Sequence, residues 1–222
     1  MKNIEAIIFD LDGTLLNTLD DLCNSVNHAL TKNAQPTISL EDTRRFVGNG
    51  VERLMESAVP GGKSNPLFEK CLEDFKDHYS KNSEVLTRSY PGIIGLLEAL
   101  KNRGYKMAVV SNKFDEAVKG LCQKYFGAYI KTAMGESADT PKKPAPDMVF
   151  KALKELGVEK ERALYVGDSE VDIKTAANAG LPCVCVSWGF RDVQTLKENG
   201  AGLIVNEPGE LIDLLNSPTP LT

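Results

Sequence analysis

No apolar run in this 222-residue chain approaches the roughly 18 residues of a membrane-spanning helix, so a membrane partner is not expected. Basic residues are in deficit: 26 Lys and Arg face 31 Asp and Glu, for a formal charge of −5. Arg44-Arg45 and Lys142-Lys143 are the notable basic doublets and neither belongs to a stripe, which excludes a nucleic-acid surface. Histidine is scarce. His28 and His78 sit on predicted helices with no metal-type neighbour at i+3 or i+4, and read as ordinary helix residues. The five cysteines are odd in number, and no basic n-region leads an apolar h-region, so free thiols in a cytoplasmic protein are expected. Cys183 and Cys185 share a predicted strand but lack a second cysteine pair for zinc, and read as small buried hydrophobes. Repeats and low-complexity segments are missing too, and the length suits one large domain or two unequal ones.

What is present is an alternation. Apolar runs at 6–9, 107–110, 129–133, 163–166, 183–186 and 203–205 read as strands buried on both faces. Helical patterns at 92–103, 115–125, 146–156, 171–179 and 209–215 follow most of them, which predicts an α/β fold with a parallel sheet. Gly104, Gly127, Gly157 and Gly180 fall where left-handed helix caps are wanted. The alternation breaks once. Residues 11–105 lie between the first two strands, far more than the ~30 of a βαβ unit. Within them, 20–30, 40–46, 51–58 and 67–79 look helical, and Leu67, Cys71, Phe75 and Tyr79 recur every four residues as one apolar face. The expected organisation is an α/β core, 1–14 and 89–222, with an inserted α-helical cap domain, 15–88, joined by linkers near 16–18 and 85–90. Pro60-Gly61-Gly62 reads as a loop within it, and residues 217–222 are expected to fray.

Asp10-Leu-Asp12-Gly13-Thr14 closes the first buried strand. Two carboxylates two residues apart are expensive in a packed core unless a cation or proton lies between them, so the pair points to chemistry. Ligands bind at the carboxyl ends of parallel strands. The second strand ends in Ser111-Asn112-Lys113, and a later one in Gly167-Asp168-Ser169-Glu170-Val171-Asp172. Lys143, followed by Pro144 and Pro146 at the start of a helix, aims a cation into the same cleft. Carboxylates, hydroxyl and amide donors and one lysine suit a divalent metal and a phosphate. Singly, each has a plainer reading: Asp168, Ser169 and Asp172 as helix-start residues, Ser111 as a turn residue, Lys143 as a solvated charge.

These four motifs, in this order over essentially the whole chain, resemble those of the haloacid dehalogenase (HAD) superfamily phosphatases, and within them the phosphoglycolate phosphatases. The resemblance implies a Rossmann-like, HAD-like core and a set of roles. Asp10 would attack phosphorus and become an aspartyl-phosphate. Asp12 would protonate the leaving alkoxide and then activate the hydrolytic water. Asp10, the backbone carbonyl of Asp12, and Asp168 would hold Mg²⁺. Thr14, Ser111, Asn112 and Lys143 would meet the phosphate, and Asp172 would orient Lys143 or a metal-bound water.

A second carboxylate at Asp12 separates phosphoryl transfer from dehalogenation, where halide leaves without a proton. In the cap, Arg45-Phe46-Val47-Gly48-Asn49-Gly50-Val51 resembles the substrate-facing stretch of phosphoglycolate phosphatases. Arg45, then Lys113, are the candidate cations for a carboxylated substrate, with Gly48 and Asn49 beside it; a surface ion pair is the plainer reading of Arg45. Asn17 departs from the pattern, since many relatives carry an acidic residue at that cap hinge. The expectation is a Mg²⁺-dependent phosphatase of 2-phosphoglycolate or a similar small phosphorylated metabolite, as a monomer or homodimer. A pyrophosphatase or a β-phosphoglucomutase-like phosphomutase of the same superfamily is the alternative, and a non-enzymatic phosphoreceiver is the alternative from another class.

Overall fold

The computed structural model of the chain describes residues 4–217. In chain order the strands are β1 (Ala6–Phe9), β2 (Leu16–Asn17), β3 (Arg88–Ser89), β4 (Lys106–Phe114), β5 (Thr132–Glu136), β6 (Ala163–Gly167), β7 (Cys183–Val186) and β8 (Ile204–Val205). The helices are α1 (Leu19–Lys32), α2 (Leu40–Phe46), α3 (Val51–Ala58), α4 (Phe68–Asn82), α5 (Ile93–Asn102), α6 (Asp115–Phe126), α7 (Asp147–Leu156), α8 (Glu170–Ala179), α9 (Val193–Glu198) and α10 (Pro208–Asn216).

Six strands form one sheet in the order β5-β4-β1-β6-β7-β8, with every neighbouring pair parallel. The α/β fold expected from the alternating pattern is therefore the fold observed. β1 is buried along its whole length between β4 and β6. Alternation sends Ala6 and Ile8 to one face, where they join Ala108, Val110, Ala163 and Tyr165. Met148, Val149, Ala152 and Leu153 form the apolar stripe of α7 that packs on this surface, along with Ala176 and Ala179 of α8.

The structure corrects several boundaries. The third core strand begins at Thr132 rather than 129, because the N–H groups of Tyr129 and Ile130 both bond to the Phe126 carbonyl and extend the end of α6. The same turn keeps Gly127 at φ −59, in the right-handed region, while Gly104, Gly157 and Gly180 take the left-handed caps expected of them. β4 runs on past Val110 to Phe114, and its pairing with β5 is irregular between those residues. That irregularity re-aims residues 111–113. The short helix α9 had no periodic signal, but its cap did: Asp192 accepts the Thr195 N–H at 2.7 Å. Of the tail expected to fray, residues 218–222 lie outside the described ones.

Leu16–Arg88 fold into a compact unit of their own, distinct from the α/β unit. It contains α1 to α4, with α1 against α4 as its main pairing. Two buried carboxylates tie it together. Asp74 takes Lys32 at 2.7 Å, Asn33 at 2.8 Å and Lys70 at 3.1 Å. Asp21 takes the backbone N–H groups of Leu86 and Thr87. His28 and His78, read as unconnected, stack with ring centroids 4.0 Å apart, and the Ser25 hydroxyl lies 2.9 Å from His78 Nδ1. Asn17 Oδ1 accepts the Leu19 N–H at the start of α1.

Candidate active site

The sheet register assembles the site. Phe9 is paired with Val109 on one side and Val166 on the other, so Asp10, Ser111 and Asp168 emerge from adjacent carboxyl ends. The Asp10 N–H still bonds to the Val166 carbonyl at 2.9 Å, continuing the ladder one step before the chain turns.

Each aspartate of the D-L-D pair has its own lysine. Lys143 Nζ is 2.8 Å from Asp10 Oδ1. Lys113 Nζ is 3.0 and 3.2 Å from the two oxygens of Asp12. Leu11, between them, is fully buried. The repulsion expected within the pair is thus answered by two cations, one at the end of β4 and one in the segment between β5 and α7.

Asp172 organises the next layer. Its Oδ1 takes Lys143 Nζ at 2.8 Å and the Tyr165 hydroxyl at 3.0 Å. Its Oδ2 accepts the N–H groups of Asp168 and Ser169 and the Ser169 hydroxyl. Ser169 therefore pairs with Asp172 at the start of α8. Asn112 departs from its implied role at phosphate: its side-chain amide closes on the backbone of Lys143, accepting that N–H at 2.7 Å and donating to that carbonyl at 2.9 Å. Thr14 departs likewise, since its hydroxyl donates to Asp168 Oδ1 at 3.1 Å. Both residues build the site's frame. Ser111 is buried beside them, and its hydroxyl accepts the Lys113 N–H at 3.3 Å.

Asp168 is gripped from both sides. Phe190 N–H donates to its Oδ2 at 2.7 Å, and a Cβ on either Gly13 or Gly189 would fall 2.3 Å from its side chain. Burial first, then the charge of Asp172, pushes Asp168 up to about 7, against the pull of the Phe190 N–H, Arg191 and the Thr14 hydroxyl. Burial likewise pushes Asp10 well above the usual carboxylate range; Asp172 and Asp168 push it further, and Lys143 pulls it back. Burial alone would lower Lys143, but Asp10 and Asp172 outweigh it and hold the ammonium charged.

Buried carboxylates raised in this way form a site short of positive charge. Oxygen atoms of Asp10, Asp168 and Asp172 lie within 4.8 Å of one another. Asp172 is occupied by Lys143, Tyr165 and the start of α8, which leaves Asp10 and Asp168 as the side chains that could hold a metal ion. An all-oxygen donor set fits a hard divalent cation.

The haloacid dehalogenase-like hydrolase family model matches residues 7–186, which carry Asp10, Asp12, Ser111, Asn112, Lys113, Lys143, Asp168 and Asp172. The chain belongs to the haloacid dehalogenase-like hydrolases. It is 32% identical over 215 residues to a phosphoglycolate phosphatase of Aquifex aeolicus (strain VF5), covering 96% of this chain and 98% of that one. Among solved structures, a predicted phosphoglycolate phosphatase of Haemophilus somnus 129PT is 28% identical with a TM-score of 0.89, over 97% of this chain and 99% of that one. A Lactobacillus delbrueckii subsp. bulgaricus protein of the same provisional assignment is 34% identical, with a TM-score of 0.91 over 97% and 99%.

In this haloacid dehalogenase-like hydrolase, sequence reasoning missed Tyr165 and Arg191 as parts of the site's frame, and had Trp188 and Phe190 only within a segment, Ser187-Trp188-Gly189-Phe190, that resembles the phosphoglycolate phosphatases. Trp188 Nε1 donates to the Thr14 carbonyl at 3.0 Å, and Arg191 pairs with Glu170 at 2.9 Å. Tyr165 left one usable signal: an aromatic hydroxyl in a fully buried strand requires a polar partner. Arg45, Gly48 and Asn49 lie in the helical unit, where Arg45 forms an exposed ion pair with Asp42 and Gly48 has φ +124. No helix among the described residues is long and apolar enough to cross a membrane.

Proposed function

We propose that this hydrolase cleaves small phosphate monoesters in two steps, through an aspartyl-phosphate on Asp10. The observation that carries this reading is the convergence of Lys143 on Asp10 at 2.8 Å, with the Asp168 carboxylate beside it. Asp10 Oδ attacks phosphorus, and the P–O bond to the leaving alkoxide breaks. Asp12, held by Lys113, gives that alkoxide its proton and then takes one from the water that hydrolyses the acyl phosphate. Lys143 and Ser111 meet the charge on the transferring phosphoryl oxygens. Asp10, the Asp12 carbonyl and Asp168 would hold Mg²⁺. When bound, that ion neutralises charge so that a phosphate dianion can approach a carboxylate.

The helical unit acts as a cap, and Arg45, Gly48 and Asn49 select the substrate. A small carboxylated monoester such as 2-phosphoglycolate is the favoured substrate, in keeping with the named relatives. The five free cysteines accord with a cytoplasmic location.

The test is phosphate release from a panel of monoesters with and without Mg²⁺. Expected are metal-dependent turnover, preference for a short carboxylated substrate, and loss of turnover in Asp10→Asn. Turnover that survives Asp10→Asn sinks the nucleophile assignment. Pyrophosphate cleaved far faster than any monoester, or a long-lived phosphoaspartate without turnover, replaces the reading with a pyrophosphatase or a receiver.

A further inference from the structure

The Lys143 ammonium is 3% exposed by residue and lies at the centre of three partners. Two are carboxylate oxygens, Asp10 Oδ1 and Asp172 Oδ1, each at 2.8 Å. The third is the Tyr165 hydroxyl at 3.3 Å. Tyr165 is also bonded to Asp172 Oδ1, at 3.0 Å, so Lys143 Nζ, Asp172 Oδ1 and Tyr165 Oη form a closed triangle of contacts. In that triangle the hydroxyl donates to the carboxylate and accepts from the ammonium, and each bond polarises the next.

The arrangement answers a geometric problem in the two-step reaction proposed above, on which this inference rests. Asp10 changes from a carboxylate to an acyl phosphate and back, so its attraction for Lys143 weakens and returns in each cycle. Asp172 alone would leave the ammonium free to rotate about a single remaining anchor. A lysine ammonium is a compact charge on a flexible stem, and it stays in place only if its partners fix it. Tyr165 stands on β6, fully buried among the residues packed under α7 and α8, and has little room to follow a moving lysine.

We propose that Tyr165 is a positioning residue: its hydroxyl, with Asp172, forms a fixed two-point seat for the Lys143 ammonium, holding it at the phosphoryl oxygens while Asp10 is esterified. Tyr165 does not touch the substrate. It acts through Lys143, so its contribution belongs to the chemical step rather than to substrate capture.

Tyr165→Phe removes one oxygen and keeps the ring that packs the core. The expected result is a kcat lowered about tenfold, in the range seen when outer partners of catalytic groups are removed, with KM within about twofold. The thermal transition should stay within a few degrees of the wild type. A second variant, with 4-aminophenylalanine at 165, keeps a donor and acceptor at nearly the same place and should recover kcat to within about threefold. Unchanged kcat in Tyr165→Phe overturns the proposal, as does a loss confined to KM. A Phe variant that fails to fold overturns it as well, because the hydroxyl would then serve the fold and not the seat. A wild type without monoesterase activity overturns the parent reading first, so the two failures are distinguishable.

Discussion

Lys113 grips both oxygens of Asp12, at 3.0 and 3.2 Å, from the neighbouring strand end. The sequence pattern offered Lys113 as a cation for the substrate; the structure puts it on the carboxylate proposed to move protons. The two roles predict different kinetics for Lys113→Met. If the lysine positions Asp12, the loss is large for an alkyl phosphate, whose leaving group needs a proton. It is small for 4-nitrophenyl phosphate, whose leaving group does not. A fall of about 10-fold or more in kcat/KM for the alkyl ester, with a much smaller one for the nitrophenyl ester, is expected; kcat/KM is the readout because it ends at phosphorylation of Asp10, before the water step that both esters share. Equal losses on both esters, with a raised KM, would return Lys113 to substrate binding.

The chain's one tryptophan adjoins the turn that holds Asp168. Trp188 bonds to the Thr14 carbonyl, Phe190 N–H bonds to Asp168, and Gly189 between them passes so close that a Cβ would lie 2.3 Å from Asp168 Cβ. Gly189→Ala must therefore displace the carboxylate or the turn. Mg²⁺ affinity is expected to fall about 10- to 100-fold, as when the support of a metal ligand is disturbed. Titration of Trp188 fluorescence with Mg²⁺ reads this directly. Identical curves for the two proteins would mean that the turn yields without moving Asp168.

Burial and the charge of Asp172 raise Asp168 from an ordinary 3.8 to about 7. An acid raised in the folded state holds a proton that the unfolded chain has already lost. Its stabilising effect is complete below about pH 4 and is lost as pH rises through about 7. A bound Mg²⁺ would take over from that proton by supplying positive charge to the same oxygens. The thermal transition of EDTA-treated protein is therefore expected to fall between about pH 4 and pH 7, and saturating Mg²⁺ should flatten or reverse the fall. Asp168→Asn should show a shallower fall and a weaker Mg²⁺ effect, the remainder belonging to Asp10, whose carboxyl burial also raises. A slope that is the same with and without Mg²⁺ would separate Asp168 from the metal site.

Much of the site could be read as residue types at strand ends, because D-L-D-G-T, S-N-K, K-P and G-D-S-x-x-D each follow a buried run or open a helix. What local pattern could not supply was pairing. Lys113 faces Asp12 because β4 flanks β1, which is a property of sheet order, and Lys143 reaches Asp10 from the segment between β5 and α7, whose backbone is tied to Asn112 at the end of β4. Asn112 and Thr14 turn from expected ligands into supports for the same reason: their partners, Lys143 and Asp168, arrive from distant segments. The i+3 and i+4 rule looks along one helix, so it could not see His28 of α1 meet His78 of α4. The start of β5 was misplaced because an apolar run does not reveal that the Tyr129 and Ile130 N–H groups are already taken.

Within the helical unit, Asp21 is a buried carboxylate at the first turn of α1, only 2% exposed. It receives two backbone donors: Leu86 N–H at 3.0 Å from both oxygens and Thr87 N–H at 2.8 Å from Oδ2. It thereby pins the segment that leaves the unit to the helix that enters it. Charged acceptors of this kind contribute about 1.5–3 kcal/mol. Asp21→Asn keeps the shape, removes the charge, and gives the site an amide that needs acceptors where both neighbours donate. The expected loss is about 2 kcal/mol of stability, seen as a lower urea midpoint for the unit. Faster hydrogen exchange at the Leu86 and Thr87 amides should accompany it, while the α/β unit keeps its protection. Slow exchange at those two amides in the variant would show that the segment is held by other contacts.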